Sequence, residues 1–575
     1  MLKEINKIFK ILEKKRKQQF KLLVILMFFC VIVETIGISS MIPLISYFTG
    51  AEILLPFNLD LSLIPLKFGF TEDHTLNFIL IFIVAIFLFK NMYVAFYHWI
   101  ESKYAYRVRF GLGVRLFRHY LYSPYLFHLS NNSSSLMSKI IQETSVYGHA
   151  LIHLSTLITE ILVIIGLTTF LFIIKPLETS IVVSIGFITS LVFYIIFRNI
   201  ITRLGKKREI AQRYSYKSLQ QGLGAIKDVI FYKVQKSFIN IFRTHSDDMA
   251  EVIFKIHFLQ RLPRIWLEII AVIVMACVIF LLASQRHDIG SILATVGLFL
   301  LVALRIIPSI NRILTSVQSL KFSEPALDAI LKDLEKPNLI KTYQRENIND
   351  EFNFQKEIKF NGVTFEYKKN GKKILQNINL TIKKNEFVGI IGETGAGKST
   401  FVDMLIGLIE PTSGTITVDG KDINDNLYSW KKNLGYVPQN FYLLDDSIKN
   451  NIAFGSNESE ITKTRIESSI NKSQLTDFVN NLDKGFESNI GELGVNISGG
   501  EKQRIAIARS LYNEPNILIF DEATSSLDLD TERKILNTLV QFKKIKTVLI
   551  ISHRDSSLKI CDKIFKIQNK EIKEI

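Results

Sequence analysis

The sequence predicts a helical membrane domain with six spans, followed by an α/β domain built around a phosphate-binding loop. The first 320 residues contain repeated long apolar runs, and Lys and Arg are concentrated between alternate runs. Residues 392–399 also fit the pattern G-x-x-x-x-G-K-[ST]. The predicted boundaries are 1–325 for the membrane domain, 326–357 for a linker and 358–575 for the α/β domain.

The composition is both apolar and basic. The 575 residues have a mean hydropathy of +0.22, yet Lys and Arg number 70 and the net charge is +16. This combination is typical of a membrane protein with cationic cytoplasmic loops rather than of a nucleic-acid-binding protein. The three cysteines show no spacing that would predict a disulfide framework or a metal site.

Six apolar segments approach or exceed the roughly 20 residues that a helix needs to cross a bilayer. Buried helices of a soluble protein would not supply six such runs in this length of chain. The first run follows a basic segment and is too long for a cleaved signal peptide, so it is predicted to remain as a span. The predicted spans are 22–48, 76–99, 150–174, 177–200, 265–284 and 289–312.

Basic residues set the predicted orientation of these spans. Residues 1–21, 100–149 and 201–264 carry eight, six and thirteen Lys or Arg. The loops 49–75, 175–176 and 285–288 carry one each. Both termini and the long basic loops are therefore predicted to be cytoplasmic, with helical extensions at 101–120 and 203–232.

The first external loop, 49–75, leaves two alternatives open. Its residues 51–70 mix Leu, Ile and Phe with few charges and two prolines. They could form a short amphipathic helix at the outer interface, or an apolar loop packed on neighbouring spans. The sequence favours neither.

Charged side chains inside the predicted spans are candidate functional residues. Lys90, Arg305 and Arg312 interrupt apolar runs, and the two arginines are seven residues apart, on one helix face. Such residues are costly in a bilayer and usually face a cavity or a partner. They could line a cationic cavity for an anionic ligand. Alternatively, they could form structural ion pairs with Glu34, Glu160 or Glu268.

Arg264 stands at the start of the fifth predicted span. It is a candidate for the same cationic cavity. Because it lies near the inner end of that span, its side chain could instead extend to the interface.

The phosphate-binding motif lies in the context that its chemistry requires. An apolar run, 387–391, precedes it as a predicted strand, and a helix-compatible run, 400–408, follows. The glycines let backbone N–H groups close around a polyphosphate. Lys398 would contact the β- and γ-phosphates, and the Ser399 hydroxyl would bind Mg²⁺.

Two further strand ends carry candidate catalytic residues. The apolar strand 517–520 runs into Asp521, which could hold Mg²⁺ through water, and Glu522, which could polarise the attacking water. His553 follows the strand 547–551, where it could sense the γ-phosphate. Without the phosphate loop, the acids would be ordinary solvated side chains and His553 a surface histidine.

Residues 497–501, Ile-Ser-Gly-Gly-Glu, resemble the signature loop of the ATP-binding-cassette (ABC) family. The resemblance implies the type IV exporter architecture, with ATP and Mg²⁺ as cofactors. It also implies a homodimer in which each phosphate loop faces the partner's signature loop. The chain departs from the common Leu-Ser-Gly-Gly-Gln at Ile497 and Glu501, while Ser498, Gly499 and Gly500 are intact. We expect activity to survive, with a possible change in nucleotide affinity or rate.

The family resemblance also implies roles for residues outside the loops. Tyr367 would stack on adenine, Gln439 would contact Mg²⁺ and water, and Asp528, after Ser526 and Leu527, would cross the dimer interface. Glu492 would contact coupling helices, predicted at 122–127 and 224–230. The implied metal ligands are Ser399, Gln439 and Asp521. The implied ATP-binding set is Tyr367, Gly392, Thr394, Gly395, Ala396, Gly397, Lys398, Ser399, Thr400, Gln439, Ser498, Gly499, Gly500 and Glu501.

Within this family, the stretches 262–268, 290–295 and 303–312 resemble bacterial flippases of lipid-linked oligosaccharides. That likeness implies ATP-driven movement of a polyprenyl-diphosphate oligosaccharide to the outer leaflet of the bacterial cytoplasmic membrane, for protein glycosylation. The implied substrate residues are Lys90, Arg264, Arg305 and Arg312. Lys90 replaces a family arginine and lacks its planar fork.

The alternative is an exporter of another amphiphile, such as lipid A core, a drug or a peptide. A peptide exporter with its own peptidase would need a domain that the 21 residues before the first span do not supply. A cassette ATPase of repair or translation is disfavoured because it would not have six spans.

Overall fold

A computed structural model describes residues 2–41, 44, 72–174, 176–284, 289–336, 352–368, 371–523 and 528–575. The chain forms two compact units. The first, called here the helical unit, comprises Met1–Ser123 and Asn131–Asn338. The second, called the α/β unit, comprises Pro124–Ser130 and Leu339–Ile575.

Long helices account for most of the first 334 residues. In chain order they are α1 (Leu2–Ile11), α2 (Lys14–Ser39), α3 (Glu72–Leu121), α4 (Tyr125–Ser130), α5 (Ser133–Ser138), α6 (Thr144–Ile174), α7 (Pro176–Gly224), α8 (Ile226–Phe231), α9 (Gln235–Ser284), α10 (Ile289–Phe322) and α11 (Glu324–Leu334). A π-helical turn, Lys139–Glu143, joins α5 to α6.

The predicted spans lie, in order, on α2, α3, α6, α7, α9 and α10. In the part of the chain that the structure describes, four helical stretches are long and apolar enough to cross a membrane: Lys14–Ser39, Leu80–Leu121, Ser133–Ile173 and Thr179–Gly224. Helix α2 ends at Ser39, and the predicted end of the first span, at residue 48, lies outside the described residues. Most of the predicted loop 49–75 lies outside the described residues.

Several helices continue well past the predicted spans. Helix α3 contains the predicted extension 101–120, whereas the predicted extension 203–232 is divided between α7, which ends at Gly224, and α8. Helices α3 and α9 each contain 50 residues. At 1.5 Å per residue such a helix is about 75 Å long, more than twice a bilayer's hydrocarbon thickness. Pro263 lies within α9 and Pro308 within α10, and neither ends its helix.

Close packing brings α2, α6 and α10 together. Val31, Leu167 and Val302 are buried in one apolar cluster of these helices. A Cβ atom at Gly166 would lie only 3.1 Å from Val31 Cγ1, so glycine allows α6 to approach α2. This packing places charged side chains of the three helices within reach of one another.

The α/β unit contains two sheets. A six-stranded sheet has the order β10-β9-β3-β8-β7-β6, and an antiparallel four-stranded sheet has the order β2-β1-β4-β5. The strands are β1 (Glu357–Glu366), β2 (Lys373–Lys383), β3 (Phe387–Gly392), β4 (Ser413–Val418), β5 (Lys421–Asp422), β6 (Leu434–Val437), β7 (Ile517–Asp521), β8 (Thr547–Ile551), β9 (Lys563–Gln568) and β10 (Glu571–Glu574).

Helices complete the α/β unit. They are α12 (Lys398–Leu405), α13 (Leu427–Lys432), α14 (Ile448–Ile452), α15 (Lys463–Lys472), α16 (Thr476–Asn480), α17 (Gly499–Leu511), α18 (Leu529–Gln541) and α19 (Asp555–Leu558). Part of the segment predicted as a linker, residues 326–334, belongs to α11 instead.

Parallel pairing in the six-stranded sheet positions the functional residues. Strands β3, β8, β7 and β6 pair in parallel, with Ile390 and Asp521 both opposite Ile551. All five residues of β7 and of β8 are buried, as near-continuous apolar runs in a covered parallel sheet require. The carboxyl ends of these four strands therefore meet at one edge.

Candidate functional site

The phosphate-binding motif forms the predicted strand–loop–helix from β3 to α12. The intervening loop holds Glu393, Thr394, Gly395, Ala396 and Gly397. Gly395 and Gly397 have φ angles of +82° and +104°, a region that favours glycine. A Cβ at Gly392 would lie 2.8 Å from the Ile567 carbonyl oxygen. The loop conformation therefore depends on these glycines.

Lys398 is held inside this loop. Its Nζ donates to the carbonyl oxygens of Gly392, at 2.6 Å, and Glu393, at 3.3 Å. The same Nζ lies 2.9 Å from Nε2 of His553, which follows β8. The predicted phosphate-binding lysine and the predicted phosphate-sensing histidine are thus brought together.

Glu522 joins the same cluster from the end of β7. Gln439 Nε2 donates to Glu522 Oε2 at 2.7 Å, and His553 Nε2 lies 3.6 Å from Glu522 Oε1. Glu522 has a φ of +50°, which is uncommon for a residue with a side chain and often marks a functional position. The structure therefore assembles four predicted residues from four segments of the chain.

Asp521 gives the site a concentrated negative charge. Its carboxyl group is buried, and burial together with neighbouring Glu522 raises its pKa, against the opposing effects of the Lys398 ammonium and the Tyr436 hydroxyl. A divalent cation would relieve this charge. With the Ser399 hydroxyl and the Gln439 amide, the donors are of the oxygen type that Mg²⁺ prefers. These residues could hold the ion, which would neutralise phosphate charge when bound.

Tyr367 lies directly after β1 and beside the start of α12. Its hydroxyl is 3.0 Å from Thr400 Oγ1, and its ring packs edge-on against Phe365 at 5.0 Å between centres. The side chain is 45% exposed, so a ring face is accessible. This geometry is compatible with the predicted stacking on a base.

Ser498 and Glu501 form a capping box at the start of α17. The Ser498 hydroxyl accepts from the Glu501 N–H at 3.3 Å, and Glu501 Oε2 accepts from the Ser498 N–H at 2.7 Å. Gly499 and Gly500 form the first turn of the helix. The unusual Glu501 therefore has a structural role, which the S-x-x-E pattern could have indicated from the sequence.

Sequence reasoning missed a buried carboxylate behind His553. Glu532 is 1% exposed and accepts hydrogen bonds from Arg554, from Ser556 Oγ at 2.9 Å and from Ser557 Oγ at 3.3 Å. Glu532 therefore ties the segment after His553 to helix α18. No local pattern signals such a pairing, because an isolated glutamate in a helix is usually exposed.

Asp528, predicted at the dimer interface, caps α18. Its carboxylate accepts from the Thr531 N–H at 2.9 Å. The other two residues of that predicted loop, Ser526 and Leu527, lie outside the described residues.

Two short helices overlap the predicted coupling segments. Helix α4 belongs to the α/β unit, where burial and the neighbouring Asp403 carboxylate raise the pKa of Tyr125. Helix α8 belongs to the helical unit. Glu492 is exposed in a short 3-10 turn, Glu492–Gly494. The contact between Glu492 and the coupling helices, which the family resemblance implies, remains a prediction.

In the helical unit, Glu34 is the centre of a buried ion cluster. Arg305 donates to both of its oxygens, from Nε at 3.0 Å and from Nη2 at 3.1 Å. Lys90 Nζ lies 3.2 Å from Glu34 Oε2. A Cβ at Gly37 would lie 2.8 Å from Lys90 Cδ, so the glycine makes room for the lysine. Glu34 is therefore the partner that the sequence suggested.

Glu160 extends this cluster to the second arginine. Its carboxylate lies 2.5 Å from Arg312 Nε and 3.8 Å from Arg305 Nη1, which confirms that the arginines share one face of α10. With all five side chains ionised, the three cations exceed the two carboxylates by one positive charge. Both predicted interpretations, cationic lining and structural ion pairs, therefore describe part of the arrangement.

Arg264 does not belong to the ion cluster. It pairs with Glu268 one turn along α9 at 3.0 Å, and the two side chains are 76% and 58% exposed. The structure thus brings together three of the four predicted substrate residues.

These two sites and the fold define an ATP-driven half-transporter with a helical membrane domain. Comparison with known proteins identifies the family. A family model for the ABC transporter matches residues 375–525, and one for the ABC transporter transmembrane region matches residues 24–305. The ATP-dependent lipid A-core flippase of Pasteurella multocida is 30% identical over 471 residues, which cover 80% of this chain and 78% of the relative. The chain belongs to the ABC transporter family.

Other relatives differ in their named activity. The leukotoxin export ATP-binding protein LtxB of Aggregatibacter actinomycetemcomitans is 28% identical over 553 residues, 95% of this chain and 75% of the relative. The solved structure of a bacterial Atm1-family ABC exporter with ATP bound has a TM-score of 0.79 at 20% identity, covering 97% of this chain and 94% of that one. It shares the fold.

The predicted class is therefore confirmed: a multi-pass type IV ABC exporter whose ATPase domain couples ATP hydrolysis to transport. Neither curated relative is named an oligosaccharide flippase, so these relatives do not support that narrower resemblance. They support export of an amphiphile more broadly.

Proposed function

We propose that the chain acts as a homodimer in the bacterial cytoplasmic membrane and flips a phosphorylated glycolipid from the inner to the outer leaflet. The buried ion cluster of Lys90, Glu34, Arg305, Glu160 and Arg312 is the observation that carries this proposal. Charge on membrane-spanning helices is costly and usually marks a substrate path. A net positive cluster suits an anionic headgroup.

Lipid A core is the cargo that the comparisons favour. The Pasteurella multocida relative is named as its flippase, and lipid A is a phosphorylated saccharide on acyl chains. Arg312 Nε contacts Glu160, and its Nη2 is buried without a hydrogen-bond partner among the described residues, while the side chain as a whole is 39% exposed. An arginine fork can bind two phosphate oxygens at once, which supports a phosphorylated headgroup.

A polyprenyl-diphosphate oligosaccharide is the second candidate. The stretches 262–268, 290–295 and 303–312 favour it, and the last of these contains both arginines of the ion cluster. The two candidates share a lipid anchor, a phosphate group and a saccharide. They differ in their anchor and in the number of saccharide phosphates.

The nucleotide site supplies the energy for this movement. In the proposal, Lys398 binds the phosphates of ATP, and Ser399, Gln439 and Asp521 hold Mg²⁺. Glu522 polarises the attacking water, and His553 contacts the γ-phosphate. The hydrogen bonds and close contacts that join Lys398, His553, Glu522 and Gln439 support these roles.

Reconstituted vesicles would test the proposal. Fluorescent lipid A core, polyprenyl-diphosphate glycan and a neutral glycolipid would be offered separately, with ATP, to wild type and to Glu522→Gln. We expect ATP-dependent movement of lipid A core, no movement by Glu522→Gln, and wild-type rates for Glu467→Gln, which changes an exposed glutamate of α15.

The outcomes separate the candidates. Movement of the polyprenyl lipid alone would establish the second candidate. Rapid ATP hydrolysis with no movement of either phosphorylated lipid would refute the proposed cargo. Continued transport by Glu522→Gln would refute the catalytic assignment.

A further inference from the structure

We propose that a basic groove between α2 and α3 binds the headgroup of an anionic phospholipid of the inner leaflet. The groove has a volume of about 600 Å³. Lys15, Arg16 and Arg107 line it together with one carboxylate, Glu13. The inference rests on the proposed orientation, in which these residues face the cytoplasm, and it is independent of the cargo.

Hydrogen bonds from α3 to the start of α2 and to the end of α1 hold these helices together at the groove. The Tyr104 hydroxyl donates to the Arg16 backbone carbonyl at 3.0 Å, and Arg115 Nη1 donates to the Ile11 carbonyl at 2.8 Å. Arg16 Nη1 is itself oriented by the Gln19 side-chain oxygen at 2.8 Å. The cationic side chains are therefore presented on a scaffold that is formed before any ligand binds.

The groove lies close to the expected membrane surface. Arg16 precedes the predicted span at residue 22 by six residues, about 9 Å of helix, and Arg107 follows the span end at residue 99 by about 12 Å. The headgroup layer extends roughly 5–8 Å beyond the hydrocarbon core on each side. Long basic side chains can cover the remaining distance by reaching toward the headgroups.

An aromatic residue and a cation on α3 indicate the position of the membrane surface without reference to the predicted span ends. Trp99 is 59% exposed, and Lys103 Nζ lies 4.4 Å from its ring centre. Exposed tryptophan with a neighbouring lysine is typical of a membrane–water interface. Arg107 follows on the same helix face, eight residues after Trp99. The face therefore runs from the interface directly into the groove.

The charge of the groove favours a phospholipid over a neutral lipid. Its lining carries three cations and one carboxylate, and a fourth cation, Arg109, stands beside it over the ring of Phe110, at 5.1 Å from the ring centre. Basic pockets on the cytoplasmic side of membrane helices bind anionic headgroups, and each Lys or Arg near the surface adds to the attraction. Phosphatidylglycerol is the simplest ligand of this class.

Lipid binding would be measured on the full-length protein in vesicles of phosphatidylcholine, with and without phosphatidylglycerol, in the absence of cargo. The readouts are phosphatidylglycerol retained on the purified protein, by native mass spectrometry, and the ATPase rate. The variants are Arg16→Gln/Arg107→Gln and a matched pair, Lys236→Gln/Arg243→Gln, which removes two exposed cations from α9.

We expect wild type and the α9 pair to retain phosphatidylglycerol and to hydrolyse ATP faster with it. The groove pair should bind it about thirtyfold more weakly, because each of the two surface cations removed contributes about 1 kcal/mol. Its ATPase rate in pure phosphatidylcholine should match that of wild type. A variant that keeps both charges, Arg16→Lys/Arg107→Lys, should retain most of the lipid and guards against loss through misfolding.

The inference would be overturned if the groove pair retained as much phosphatidylglycerol as wild type, or if both pairs lost it equally. It would also be overturned if soluble glycerol phosphate accelerated ATP hydrolysis as much as the lipid does. Dissociation of the dimer in the groove pair would have the same consequence. If wild type fails to hydrolyse ATP in every vesicle, the proposed function fails instead. In that case the amount of retained phosphatidylglycerol still tests whether the groove binds lipid, because retention does not require ATP hydrolysis.

Discussion

At the scale of single residues, buried carboxylates join segments that are distant in the chain. Glu34 holds Lys90 and Arg305, and Glu532 holds the segment after His553. Each carboxylate accepts several hydrogen bonds and contacts at least one cation, so its negative charge is balanced in the folded protein. Removing such a carboxylate takes one ionic partner from each cation that it contacts, which is costly where the cation is also buried.

Replacing Glu532 with Gln should destabilise the α/β unit by about 1–2 kcal/mol, because the buried carboxylate's charge-assisted hydrogen bonds are weakened while the 36% exposed Arg554 side chain stays partly hydrated. ATP hydrolysis should also slow, since His553 precedes the anchored segment directly. The apparent melting temperature of the full-length protein and its ATPase rate would measure both effects. A matched change of the exposed Glu467 to Gln should stay within about 0.5 kcal/mol of wild type. Equal stability of the two variants would contradict the assignment.

Glu501→Gln should leave α17 intact while tightening ATP binding. Glutamine also fits the capping box, so the Ser498 contacts can persist. In the proposed dimer the change removes a negative charge near the γ-phosphate, and the KM for ATP should fall roughly two- to fivefold. Steady-state ATPase assays would measure this. Glu501→Ala, by comparison, should cost about 0.5 kcal/mol of stability, because the Ser498 N–H loses its acceptor while the Ser498 hydroxyl still caps the helix. An unchanged KM in Glu501→Gln would show that the charge does not reach the nucleotide.

At the scale of elements, the first helix is docked by charge as well as by apolar contacts. Helix α1 buries Ile8 and Ile11 and also Glu4, whose Oε1 accepts from Lys321 Nζ of α10 at 2.6 Å. Lys7 bridges from α1 to Asp328 of α11 at 2.6 Å. The basic N-terminal segment thus forms a packed element of the helical unit.

Docking of α1 should depend on pH. Burial raises the pKa of Glu4, but the hydrogen bond and charge of Lys321 outweigh burial, and the pKa falls from 4.5 to about 2. Because the folded pKa is lower than the unfolded one, Glu4 stabilises the fold fully above about pH 4.5. That stabilisation is lost as the pH falls toward 2.

Melting temperatures of wild type and Glu4→Gln across this pH range would test the dependence. The difference between them should be largest above pH 4.5 and should shrink as the pH approaches 2. Glu335→Gln, which changes an exposed carboxylate at the end of α11, should show a small difference at every pH. A Glu4→Gln difference that is independent of pH would mean that packing, rather than charge, accounts for the docking.

At the scale of the whole molecule, one chain supplies one phosphate loop and one signature loop. The family resemblance implies that two chains combine them into composite sites. Lys398 and Ser498 would then serve different ATP molecules. Composite sites therefore predict a different result for heterodimers of two mutant chains than sites formed within one chain.

A heterodimer of a Lys398→Ala chain and a Ser498→Arg chain should contain one intact composite site. Its other site would carry both defects. Isolated heterodimers, selected with two affinity tags, should therefore occlude about one ATP, while each mutant homodimer should occlude little. If both loops of a site came from the same chain, the heterodimer would occlude no more ATP than the homodimers.

Much of the architecture was predictable because its signals are local. Apolar runs indicated the long helices, while the orientation predicted from Lys and Arg stays a prediction. The glycine pattern gave the loop from β3 to α12, and the acids after an apolar strand gave Asp521 and Glu522. The end of α2 and the start of α11 were not predicted, because apolar composition fixes a helix end only approximately.

The sequence by itself determined the class of this protein, since each motif of an ABC half-transporter fits within a few neighbouring residues. The tertiary structure decided which charges meet. Glu34 pairs with Arg305 across 271 residues of chain, whereas Arg264, equally plausible by position, pairs with Glu268 one helical turn away. The physical reason is that an ion pair requires atoms within about 4 Å, a distance set by packed helices such as α2 against α6 and α10, and not by spacing in the chain.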